Sequence, residues 1–374
     1  MTSILTLNAG SSSIKYALFD RTGAKRLEHG LVERIGAQAR LVDDDGAVPL
    51  GSIDHNTAVE AILDHLGDRD IQTVGHRIVH GGPNHRQATA VTDMLIAEMH
   101  GLVSLAPLHQ PHNLHAIEAV RARFPAARQI ACFDTAFHRT QPFVSDTYAL
   151  PRRFYGEGIR RYGFHGLSFE HIASRMADIA PNLHAGRIIA AHLGNGVSIC
   201  SMLGGRSIGS TMGFTALDGV PMGTRCGQID PGVLLYLLDQ GVTKDDLTQL
   251  LYEESGLLGL SGLSNDMRDL LASTMPEAQE AIDYYTFRIR HEIGARAADL
   301  GGIDALVFCG GIGENAPEIR ARVVDPMGWL GLSLDPKANE KGSVDIGTGP
   351  VPVMVIPTDE EAVIARQSAE IVNS

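Results

Sequence analysis

The chain has 374 residues, 44% hydrophobic and 20% charged, with a formal net charge of −13. That length suits two cores better than one, and the acidic balance argues against a general nucleic-acid or membrane partner while leaving room for a local arginine site. Cys132, Cys200, Cys226 and Cys309 are too widely spaced for a Cys-x-x-Cys motif and read as reduced thiols. The N-terminus lacks a basic segment followed by an apolar one, and no apolar run has membrane-spanning length. The expectation is a soluble, cytoplasmic protein.

The first element, "ILTLNAGSSSIKYALFD", reads as strand, small-residue turn, strand. A hairpin needs only two turn residues. The surplus of hydroxyls, with Lys15, fits either a solvated hairpin or a phosphate cradle of backbone N–H groups and serines. It is not a Walker A loop, because the spacing differs. Strand candidates follow in "TVGHRIVHGG", "QIACFDTAFH", "RIIAAHLGNG", "ALVFCGGIGEN" and "VPVMVIPTDEE". Helices lie between them. "NLHAIEAVRARF" spaces Leu114, Ile117 and Val120 helically and stops at Pro125. "SFEHIASRMADIA" has Ser168 as a candidate N-cap, with Ile172, Met176 and Ile179 on one face. "EAIDYYTFRIRHEIGARAADLGG" carries Ile282, Tyr285, Ile289 and Ile293, then closes on Gly301 and Gly302. The alternation indicates an α/β fold.

"IIAAHLGNGVSICSML" repeats the design of the opening hairpin. Asn8 and Asn195 are 187 residues apart (195 − 8), half the chain. A repeat at that spacing suggests two similar domains. In "GGIGENAPEIR" a strand runs into Gly310 and Gly311. Asn315, Pro317 and Glu318 then read as a capped helix start, where an anion or nucleotide can bind. A rival reading is dinucleotide binding, from Gly311-x-Gly313-x-x-Ala316 with Asp335 about 20 residues on. In "IPTDEEAVIAR", Thr358 is the expected cap. Asp359, Glu360 and Glu361 suit either the helix dipole or a magnesium ion.

Arg77 in "GHRIVHGG", His165 in "RYGFHGLS" and Arg225 in "PMGTRCGQID" are three cations at separate turns. Each suits a structural ion pair, and together they suit a negatively charged reaction centre. Asp134 ends a strand candidate, where ligands of α/β sheets lie. "LHQPHNLH" places His109, His112 and His115 three apart. Pro111 breaks the helical spacing, so it reads as a turn and a helix start rather than a metal triad.

The ordered set "LNAGSSSIK", "GHRIVHGG", "SLAPLH", "FDTAFH", "RYGFHG", "HLGNG", "MGTRCG", "GGIGEN" and "PT-x-EE" resembles the acetate and propionate kinase family nearly end to end. The resemblance implies an actin-like (ribonuclease-H-like) pair of duplicated α/β domains with ATP in the cleft, and a homodimer. It implies reversible phosphoryl transfer between ATP and acetate with Mg²⁺ or Mn²⁺, giving ADP and acetyl phosphate. The domains expected are 1–148 with 357–374, and 149–356. Asn8 and Glu360 resemble the metal-site residues. Lys15, then His192, Leu193, Gly194, Asn195 and Gly196, then Asp266, Met267 and Arg268, and finally Gly311, Ile312, Gly313, Glu314 and Asn315 resemble the nucleotide-binding positions. Arg77 resembles the carboxylate-binding arginine, and Val79, Leu108 and Phe164 the apolar wall around the substrate methyl. Asp134, His165 and Arg225 resemble the catalytic residues.

The sequence departs from the family at Ala216, where proline is common, at Asp359, where asparagine is usual, and at Gln228, where an acid is usual. Ala216 leaves propionate as an alternative acid. A phosphohydrolase of the same fold and an actin-like filament protein are the remaining rivals. The first gives Arg77 and the apolar pocket no clear purpose, and the second has no reason for Arg77, His165 and Arg225 together.

Overall fold

The computed structural model describes residues 3–10, 13–67, 69–107 and 109–373. The chain divides into two compact units. The first holds Met1–Arg139, Gly166–His171 and Asp359–Ser374, and the second Thr140–His165 and Ile172–Thr358.

In the first unit the strands are β1 (Ser3–Ala9), β2 (Ile14–Asp20), β3 (Arg26–Glu33), β4 (Ala39–Asp43), β5 (Gly46–Gly51), β6 (Ile71–Ile78), β7 (Thr89–Ala90) and β8 (Arg128–Phe133). They form one sheet in the order β5-β4-β3-β2-β1-β6-β8-β7. The second unit has β9 (Arg187–Leu193), β10 (Val197–Leu203), β11 (Arg206–Ser210), β12 (Ala305–Cys309) and β13 (Val353–Val355), ordered β11-β10-β9-β12-β13. The run β3-β2-β1-β6-β8 matches β11-β10-β9-β12-β13 strand for strand. In each, the first three are antiparallel and the last two join in parallel. This is the duplication that the half-length repeat predicts: both glycine-turn hairpins are the first antiparallel pair of their sheet.

Alternation along β1 assigns its faces. Leu5 and Leu7 join Val59, Ile62 and Leu63 of the helix His55–Leu66 in one buried cluster. Ile4 faces the other way, onto Ala365 and Ala369 of the helix Glu360–Asn373. Asn8 shares the parity of Ile4, so its side chain is directed to the start of that helix. In the second unit the helix Pro276–Leu300 buries Ile282, Tyr285, Ile289 and Ile293, the stripe read from the sequence, and ends at Gly301 in a left-handed cap.

Three helix starts differ from expectation. Ser168 lies inside the helix Gly166–Ile179, not at its cap, and is fully buried. The capping position falls to His165, whose left-handed φ of 55° is rare for a side chain of this size. Asp359, not Thr358, caps the helix Glu360–Asn373, accepting from Ala362 N–H at 3.0 Å. Asn315 does not cap the helix Pro317–Val324; it donates back to Gly311 O at 2.9 Å. All four cysteines are free thiols. Among the described residues no helix is long and apolar enough to cross a membrane.

Candidate active site

The first unit gathers four of the predicted residues. Asn8 and Arg77 stand just beyond the last paired residues of β1 and β6, Leu7 and His76. Asp134 follows β8, and Glu360 opens its helix. Arg77 donates from Nε (3.0 Å) and Nη2 (2.7 Å) to Asp134 Oδ2, and from Nη1 (3.3 Å) to Asn8 Oδ1. Asn8 Nδ2 donates to Glu360 Oε2 and Glu361 Oε1, each at 2.8 Å. Ser168 makes a short hydrogen bond to Glu360 Oε1. Asn8 therefore presents its carbonyl oxygen to a cation and its amide to two carboxylates, which fixes its orientation.

The Asp134 carboxyl is fully buried, and burial pushes its pKa up to about 6; Arg77 restrains that rise and Glu360 adds to it. Burial disfavours charge on Arg77, but Asp134 and Glu360 more than offset this and raise its pKa. Asp134 Oδ1 is buried without a well-formed hydrogen bond, and the Leu167 N–H only slightly favours the charged carboxyl. Lys15 pairs with Asn8 across β1 and β2, and its side chain is exposed. Val79 is buried in this unit. Leu108 lies outside the described residues, as do Ser11 and Ser12.

The second unit brings together His165, His192, Gly196 and Arg225. The imidazoles of His165 and His192 stack with centroids 4.2 Å apart. His165 Nδ1 lies 2.8 Å from Ser198 Oγ. Ser198 is the cross-strand partner of His192, so one rung of β9 and β10 holds the His165 ring from two sides. A Cβ on Gly196 would stand 3.1 Å from His165 Nε2 and 3.9 Å from Arg225 Nη1. The bare backbone of the "GNG" turn thus leaves space where the His165 imidazole and the Arg225 guanidinium converge. Arg225 Nη1 donates to Ala216 O at 3.3 Å, so the residue at the family's proline position steers the arginine by its carbonyl. Phe164 is buried in this unit.

The glycine-rich segment after β12 is a short helix, Gly310–Asn315. Gly310 has φ of 76°, and a Cβ there would press on Leu193 O at 2.8 Å, which brings the segment against the His192–Gly196 turn. Glu314 plays a structural part, because its Oε1 accepts from Gly310 N–H (2.9 Å), Thr358 N–H (3.0 Å) and Thr358 Oγ1 (3.3 Å). That carboxylate ties the turn to the chain beyond β13. Arg320, buried, donates to Gly313 O (2.8 Å) and Glu314 O (2.9 Å), closing the helix from beneath. Asp266 caps Met267–Ala272 and pairs with Arg268, whose side chain is exposed. Asp335 caps Pro336–Lys341 through Lys337 and Ala338 N–H groups, which accounts for it without a ribose. The Gly-x-Gly-x-x-Ala match has no further support.

Sequence reasoning missed Ser198 and Arg320, read Ser168 only as a helix cap, and named Glu361 only among the acids of a first helical turn. Ser198 left one signal: a hydroxyl inside "VSICSML", a strand buried along nearly its whole length.

A family model described as the acetokinase family matches residues 3–366. The chain belongs to the acetokinase family. An acetate kinase of Methylocella silvestris is 50% identical over 390 residues, covering 98% of this chain and 96% of that protein. Two solved structures align over their whole length. The propionate kinase of Francisella tularensis has a TM-score of 0.92 at 35% identity and covers 99% of this chain. The acetate kinase of Porphyromonas gingivalis has 0.88 at 37%, and covers all of it. This family member is therefore a phosphotransferase enzyme with a duplicated actin-like fold.

Proposed function

We propose that the enzyme transfers the γ-phosphoryl group of ATP reversibly to acetate, giving acetyl phosphate and ADP. Family membership across residues 3–366 carries this reading. The Arg77–Asp134–Asn8–Glu360 cluster supports it. A carboxylate oxygen forms the new bond to phosphorus while the bond to the β–γ bridging oxygen breaks, and the electron pair leaves with ADP. Acetate is ionised at neutral pH, so no general base is required. Asp134 suits a different role, since its Oδ2 already receives two N–H groups of Arg77 and orients that guanidinium. The remaining N–H groups of Arg77 bind the acid, with Val79, Leu108 and Phe164 around its methyl. His165 and Arg225 meet charge on the phosphoryl group, where positioning and electrostatics supply most of the catalysis. Lys15, His192–Gly196, Asp266–Arg268 and Gly311–Asn315 hold the nucleotide, Glu314 by shaping its turn.

Asn8, Glu360 and the buried Asp134 Oδ1 fit Mg²⁺, or Mn²⁺, which takes few protein oxygens beside phosphates and water. Among the described residues no trio of His, Cys, Asp and Glu has the geometry to hold a metal alone. When bound, the ion neutralises phosphate charge. The domains assigned to acid and nucleotide are 1–148 with 357–374, and 149–356. A cytoplasmic homodimer is the assembly we propose. Its support is the helix Pro231–Asp239, "PGVLLYLLD", which buries none of its residues and exposes Leu235 and Tyr236 by more than half.

Hydroxylamine trapping with ATP and acetate, propionate or butyrate tests the reaction. Acetate should give the most hydroxamate. A larger yield with propionate would reassign the acid, and acid-independent phosphate release would mean a hydrolase.

A further inference from the structure

The segment "LHQPHNLH" opens the helix Gln110–Arg123 at the carboxyl ends of β1 and β6. These strands pair in parallel only as far as Leu7↔His76, while β6 stays with β8 to Ile78↔Phe133. So β1 parts from β6 at Asn8 and Arg77. The first turn of the helix fills that split with side-chain amides. Asn113 Oδ1 accepts from Val79 N–H at 3.0 Å, and its Nδ2 donates to Ala9 O at 3.4 Å. It stands where a peptide group of the ladder would. Gln110 does the same for the next residue, accepting from His80 N–H at 3.2 Å and donating to His80 O at 3.1 Å. Both amides are fully buried, so no solvent can replace them. His112, between them, stacks at 3.9 Å on His55, whose Nε2 donates to Gly10 O at 3.1 Å.

We propose that Asn113 is a positioning residue of the transfer: its amide bridge between Ala9 and Val79 sets the separation at which Asn8 and Arg77 act. The proposal rests on the reading that these two residues face the reactants. Loss of the bridge frees two buried backbone groups directly beside the site. Displacements near 1 Å in such settings cost on the order of 10²-fold in rate. Leu114 and Ile117 on one side, and Ala116, Ala119 and Val120 on the other, carry the packing of the helix instead.

Steady-state kinetics of Asn113→Ala in the full enzyme, with thermal unfolding in parallel, tests it. The expected result is a folded enzyme whose kcat/KM for acetate falls on the order of 10²-fold, with a smaller effect on the KM for ATP. Asn113→Asp keeps the acceptor for Val79 and should recover part of the loss. A folded Asn113→Ala enzyme with near-normal kcat/KM would overturn the proposal. So would equal damage to both substrates, or failure of both variants to fold, since either assigns Asn113 to stability alone. Arg77→Ala, run beside them, separates the premise. If it leaves the KM for acetate unchanged, the reading of Arg77 fails; if it raises KM while Asn113→Ala keeps near-normal kcat/KM, only this proposal fails.

Discussion

Burial moves the pKa of Asp134 up and those of His76 and His112 down, so they bear on stability in opposite senses as pH falls. Burial raises the Asp134 carboxyl from 3.8 to about 6. Burial lowers His76 from 6.5 to about 4, against its bond to Gln129. His112 is lowered as well, by burial and then by His55 and His115, with Asp54 opposing. Between about pH 6 and 4 the folded chain binds a proton at Asp134 that the unfolded chain does not, so this carboxyl increasingly favours folding as pH falls. His76 stays neutral when folded and charges when unfolded, so it weakens folding over that range, and the lowered His112 acts in the same direction. At about 1.4 kcal/mol for each pH unit, Asp134 contributes on the order of 1 kcal/mol between pH 7 and pH 5, most of it below its folded value. Asp134→Asn removes that contribution and leaves the histidines unopposed. Urea unfolding at pH 7, 6 and 5 reads the difference. The variant should lose on the order of 1 kcal/mol more than the parent across that span. In the parent, kcat/KM for acetate should show an acid limb near pH 6, as Arg77 loses its charged partner; in the variant that limb should vanish. Parallel stability profiles for the two proteins would refute the assignment of a raised pKa to Asp134.

Arg225→Ala should lower kcat by about 10³-fold or more without unfolding the protein, and near-normal turnover would remove Arg225 from the transition-state contacts. Ser198→Ala takes one hydrogen bond from His165 Nδ1; kcat should fall about 10-fold at little cost in KM for acetate, and an unchanged kcat would free His165 from that support. Leu235→Asp, on the helix that buries nothing, should convert a dimer to monomer in analytical ultracentrifugation; a dimer that persists would place the interface elsewhere.

The hairpin-forming halves were legible because their information is local. "ILTLNAGSSSIKYALFD" and "IIAAHLGNGVSICSML" each carry two apolar strands and a glycine turn, and each pairs with itself. Arg77, Asp134, His165 and Arg225 were legible as lone charges among apolar and glycine residues. What the sequence concealed depends on partners far along the chain. Thr358 looked like a cap, but its N–H and hydroxyl go to Glu314, 44 residues away. Asp359 next to it caps just as well by local rules, and nothing in "IPTDEE" chooses between them. Asn113 reads as an ordinary first-turn residue; its meaning comes from β1 and β6 parting beside it. Ser168 has the composition of an N-cap, yet the cap falls three residues earlier, at His165, which takes the left-handed conformation.

The central claim is that a carboxylate oxygen of acetate becomes bonded to the transferred phosphorus. Acetate labelled with ¹⁸O in both oxygens, with ATP and Mg²⁺, tests it directly. Hydroxylamine cleaves the acyl phosphate at its carbonyl carbon, so the released phosphate should carry one ¹⁸O. Phosphate without the label, or phosphate formed equally in the absence of acetate, would contradict the account.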